Sequence, residues 1–177
     1  MDFALLRSIR EQVAPGITIS FHRDGDPLVY PLLVDALDLF AGFCTSIVTH
    51  GEALGQRAQE IIGRATSVTV SVFGKDPDHD LQIDALRSFL GAKGDRPPMV
   101  AIKFVGEIPP EVEASFSMPG VRIMRRLLHV PQGDRGYRPR TPTIPETQIC
   151  LDMLHRPLID WQGDMSICVR LDPERKG

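Results

Sequence analysis

Cysteine is scarce in this chain, charge of neither sign dominates, and no long apolar run occurs. Three cysteines in 177 residues, Cys44, Cys150 and Cys168, are an odd and sparse set, a poor fit to the disulfide framework of a small secreted domain. They suit reduced thiols or cluster ligands better. A formal net charge of -3 and a pI near 5.9 give no general field for nucleic acid or an anionic membrane, so neither is an expected partner. No apolar stretch reaches the ~18 to 20 residues of a spanning helix. The opening MDFALLRSIREQV carries charges where a signal peptide has its apolar region, and the expected location is cytoplasmic.

What is present is a globular composition, 42% apolar and 24% charged, enough for one core with a small appendage. Residues 2–13 place Phe3, Leu5, Leu6, Ile9 and Val13 at helical spacing, and Pro15-Gly16 ends the run. Extended candidates at 17–21, 44–50, 67–74, 99–106 and 121–128 alternate with helical ones from about Tyr30 to Gly42, at 52–64, at 81–93 and within 109–118. Such alternation predicts an α/β fold with a parallel sheet and right-handed crossovers. A barrel and a doubly wound sheet share the pattern, and both place their sites at the carboxyl ends of the strands. Residues 129–148 are rich in Pro, Gly and Arg and read as a surface linker. Residues 157–171 read as a β-hairpin about Gln162-Gly163-Asp164. The expected organisation is a β/α portion at 1–128, a linker at 129–149 and an extension at 150–177.

The stretch SFHRDGDPLVYP, residues 20–31, leaves the first extended segment through an acidic turn. Asp-Gly and Asp-Pro are ordinary turn dipeptides. Functionally, Gly25 lets a ligand approach the backbone, and a carboxylate beside it accepts from a ligand ammonium. His22, Asp24 and Asp26 alternate, a pattern that also suits a hard divalent metal and a metal-dependent α/β hydrolase. Cys150 and Cys168 flank the hairpin, so their thiolates either converge on an iron-sulfur cluster, or on zinc with His129 or His155, or are inert buried residues. Cys44 reads as core packing. Arg125, Arg126, Arg135, Arg138 and Arg140 with Tyr137 are a phosphate or carboxylate grip or a solvated basic loop. Lys103 points into a barrel mouth or, on an edge strand, into water.

In its order of motifs the chain resembles the radical S-adenosylmethionine superfamily. ISFHRDGDPLVYP is similar to that family's G-G-E-P turn, with Asp24 in the first Gly place and Asp26 for Glu. SIVTHGEAL resembles its S-I-T-T-N-G-T-L-L pattern, with His50 for Asn. SVTVSVFGKDP is similar to a strand ending S-L-D-G, keeping Ser71 and Gly74 and placing Phe73 for Asp. CLDMLHRPLIDWQGDMSIC resembles the start of a SPASM or twitch extension, with Gln162 where Asp is usual. The resemblance implies an incomplete parallel (β/α) barrel of about five strands followed by a C-terminal β-hairpin. It implies that Asp24, Gly25, Asp26 and Pro27 meet the amino group of S-adenosylmethionine, that His50 and Ser71 lie near its nucleoside, and that Cys150 and Cys168 bind an auxiliary 4Fe-4S cluster.

By the same resemblance, reductive cleavage of S-adenosylmethionine to a 5'-deoxyadenosyl radical modifies a peptide or small-molecule substrate, with flavodoxin or ferredoxin as electron donor. The family's C-x-x-x-C-x-x-C loop is not in these 177 residues. The expectation is therefore a fragment of a longer enzyme, inactive by itself. A non-catalytic remnant or interaction module is the competing expectation.

Overall fold

The structure, a computed structural model, describes residues 1–22, 25–74, 76–126 and 157–166. Asp24, Cys150 and Cys168, and also His129 and His155, lie outside the described residues. In chain order the elements are α1 (Phe3–Gln12), β1 (Thr18–Phe21), a 3-10 turn (Pro27–Val29), α2 (Leu33–Leu39), β2 (Cys44–Thr49), α3 (Ala58–Ile61) and β3 (Ser67–Phe73). They continue with α4 (His79–Lys93), β4 (Met99–Val105), α5 (Pro110–Ala114), β5 (Val121–Arg126), β6 (Leu158–Ile159) and β7 (Met165–Ser166). Among the described residues no helix is long and apolar enough to cross a membrane.

β1 to β5 form one sheet in the order of the sequence, every neighbouring pair parallel. A doubly wound sheet reverses its strand order at a switch point; this one does not. Right-handed crossovers through such an order place the connecting helices on one face, the arrangement of an incomplete β/α barrel. The strand residues show it: Ile47, Val68, Val70, Val72, Val100 and Ile102 are buried in one core with Leu33, Leu37, Leu54, Ile61, Leu86 and Phe89. Burying each such side chain contributes roughly 1.5–3 kcal/mol, so this row holds the helices on the sheet.

Register puts Ser46 beside Ser67, Thr69 beside Ala101 and Ser71 beside Lys103 on the opposite face. Cys44 belongs to that face and is exposed, which corrects its reading as core packing. Its place in the alternation, not its residue type, sets its exposure.

Two helices are shorter than their apolar patterns. α2 begins only at Leu33, after the 3-10 turn and Pro31, and Pro is poor inside a helix. In the 52–64 stretch only Ala58–Ile61 is α-helical. Gly55 interrupts the pattern at a helix-propensity cost, and a Cβ there would already touch Ser88 at 3.5 Å.

The chain divides into two compact units, one of Arg10–His129 and one holding Met1–Ile9 and the hairpin. In the second, β6 and β7 pair antiparallel. Asp160 Oδ1 accepts from the backbone N–H groups of Gln162, Gly163 and Asp164, each at 2.9 Å. Gly163 has φ +98°, and a Cβ there would lie 3.2 Å from a Leu5 methyl.

Candidate functional site

The turn after β1 is fixed by its own aspartate. Asp26, with φ -107° and ψ 125°, caps the 3-10 turn: its Oδ1 accepts from Leu28 N–H at 2.8 Å, and Pro27 takes the first turn position. Pro has no N–H to satisfy and a φ suited to that place. The turn-former reading of Asp-Pro is therefore correct as far as it goes. Asp26 does more. Its Oδ2 accepts from the Thr49 hydroxyl at 2.6 Å and from His50 N–H at 2.8 Å, joining this loop to the carboxyl end of β2.

The clamp has further layers. Thr49 is only 3% exposed, and its Oγ1 accepts from Gly51 N–H at 2.9 Å. Gly51 has φ +94°, and a Cβ there would stand 2.7 Å from Val70 Cγ1; both the left-handed backbone and the space require glycine. On the other side, Arg57 Nη1 donates to the Leu28 and Tyr30 carbonyls, each at 2.7 Å. Its Nε and Nη2 bond the Glu60 carboxylate. The 3-10 turn is thus tied to β2 at its start and to α3 at its end.

A carboxylate offers about four lone-pair positions. Three on Asp26 meet neutral donors, which orient the group but leave its charge uncancelled. What remains, among the described residues, is a positioned anion with acceptor capacity at Oδ1. Next to it, Gly25 has φ +86° and open space where a Cβ would be, so the backbone stays accessible. Such an arrangement suits an ammonium.

The other predicted residues fall at the same end of the sheet. The His50 ring is exposed, and its centroid is 5.7 Å from that of Phe73 at the end of β3. Ser71, 9% exposed, follows Val70, the register partner of Thr49, and so is level with His50. Gly74 follows β3, and a Cβ there would collide with the Glu107 carbonyl. His79 Nδ1 lies 3.1 Å from the Phe73 carbonyl; a carbonyl only accepts, so this nitrogen carries the proton.

The structure therefore brings Asp26 directly to His50 through the latter's backbone, with Gly25 and Pro27 as its chain neighbours, and places Ser71 level with His50 on the next strand. Thr49 and Arg57 were not singled out from sequence. A signal for Thr49 existed: in the alternation Thr45, Ile47, Thr49 it stands on the core-facing side, and a buried hydroxyl needs a partner.

Arg125 is not a free anion grip. Its Nε and Nη2 bond Glu113 in a fork, with Nε at 3.0 and 2.9 Å from the two oxygens. The hydrogen bond to Glu113, and then its charge, raise the Arg125 pKa above its ordinary value. A groove of about 520 Å³ is lined by this pair together with Phe104, Glu107, Ile108 and Ser117 among others, and takes in none of Gly25, Asp26, Pro27, His50 and Ser71. Among the described residues no three His, Cys, Asp or Glu side chains gather as metal ligands. No protein-family model matches this chain, and no curated protein matches it.

Proposed function

We propose that this chain is a portion of a radical S-adenosylmethionine enzyme, in which the turn at 24–27 receives the amino group of the cofactor. The observation that carries the proposal is the Asp26 carboxylate. It is clamped by three neutral donors at the carboxyl end of β1, within a parallel sheet in sequential order. Motif order in the sequence supports the same reading.

The described residues fit the methionine end of the cofactor: an oriented anion for its ammonium, and an open glycine backbone beside it. When bound, that cofactor supplies a radical to a peptide or small-molecule substrate. The part of this chain is to bind and orient it. For an iron-sulfur cluster the candidates Cys150 and Cys168 lie outside the described residues. Cys44 does not serve the site, since it opens β2 about 16 Å from the strand's carboxyl end at the usual rise per residue. A hydrolase built on His22, Asp24 and Asp26 has less support, because three donors already occupy most of the lone pairs of Asp26; Asp24 lies outside the described residues.

Calorimetric titration of the whole chain with S-adenosylmethionine tests the reading. Saturable binding at one site is expected, weakened about tenfold or more by Asp26→Asn, a loss of roughly 1.4 kcal/mol or more. Absence of binding by the wild-type chain overturns it.

A further inference from the structure

The interior partner of Asp26 carries an inference about how the site is tuned. A carboxylate on a loop has two rotatable bonds, and its ability to meet a ligand depends on which lone pair faces outward. Here the choice is made by a side chain on another strand. The Thr49 hydroxyl donates to Asp26 Oδ2 at 2.6 Å while accepting from Gly51 N–H at 2.9 Å. A hydroxyl has one proton and two lone pairs. With Gly51 N–H occupying a lone pair, its proton is directed to Asp26. The backbone at Gly51, on the acceptor side of this relay, has φ +94° and no room for a Cβ against Val70, so this position is held to glycine.

We infer that Thr49 is the positioning residue of the site. It turns Asp26 Oδ2 inward and leaves Oδ1, beyond its bond to Leu28 N–H, as the oxygen presented to a ligand ammonium. The inference rests on the S-adenosylmethionine reading and adds to it a residue that need not touch the ligand. Thr49→Val keeps the branched shape that β2 requires and removes only the hydroxyl; Asp26 Oδ2 then loses one of two donors, and the carboxylate is held only by the Leu28 and His50 amides.

The test is titration of the full chain and its variants with S-adenosylmethionine, alongside their thermal unfolding. Thr49→Val is expected to lose about tenfold or more in affinity, and Thr49→Ser, which restores the hydroxyl without the methyl, to stay within about threefold of wild type. Were Thr49→Val not to fold, Thr49→Ser still decides: retained affinity at reduced melting temperature supports the relay, and an affinity loss attributes the effect to packing and overturns it. Wild-type binding that a folded Thr49→Val leaves unchanged overturns this inference alone. No binding by wild type overturns the S-adenosylmethionine reading and this inference with it.

Discussion

Among the described residues two aspartates each accept at least three hydrogen bonds, and they do so in opposite ways. Asp160 gathers three consecutive amides of its own hairpin turn on one oxygen. Asp26 spreads its bonds over two oxygens, one to the local Leu28 and two to residues 23 and 24 positions away. The first shapes a turn; the second closes a loop onto a neighbouring strand and thereby positions a charge. A local cap organises whatever residues surround it. A cap that crosses strands exists only once the sheet has formed, and it links the stability of the sheet to the geometry of the site.

The contrast breaks if the two aspartates respond alike to truncation. Asp26→Ala leaves a buried hydroxyl and two amides short of an acceptor and is expected to cost about 3 kcal/mol in urea unfolding, from the usual worth of bonds to a charged group. Asp160→Ala should cost about 1 kcal/mol, with altered amide exchange confined to the hairpin. Equal effects on the main unfolding transition would erase the distinction.

Glycines on either side of the clamp sharpen it. Gly51→Ala meets both a positive φ and the Val70 side chain and is expected to destabilise by roughly 2–3 kcal/mol. Gly25→Ala meets a positive φ in open space and should cost about 1 kcal/mol. A polar group at the other extreme completes the series. Gln82 is 0% exposed, and neither of its amide atoms has a partner among the described residues. Gln82→Leu should therefore raise stability by roughly 1 kcal/mol, seen as a higher denaturation midpoint with an unchanged slope.

Much of the fold was legible, because a parallel strand buried on one face writes alternation into its residues. Val68, Val70 and Val72 announce β3, and Ile83, Leu86 and Phe89 give α4 its apolar stripe. The 52–64 pattern predicts a longer helix than the Ala58–Ile61 turn that forms, since apolar spacing does not register that Gly55 lies against α4. At the site, Asp26 was visible as an acid in a turn, but its partners were not. Thr49 and His50 are far from it in sequence, and nothing local specifies that β2 will end beside that turn. Arg125 looked like part of a basic cluster, and only its proximity to Glu113 showed the charge already matched.

By itself the sequence determined the parallel α/β class, the acidic turn with its proline start, and the hairpin turn about Gln162-Gly163-Asp164, because each depends on periodicity or on contacts within a few residues. Tertiary structure alone decided between barrel order and a doubly wound sheet, since both bury the same alternating pattern. It alone turned Asp26 from a turn former into an oriented anion, because the two groups that hold its inward oxygen come from the end of a different strand.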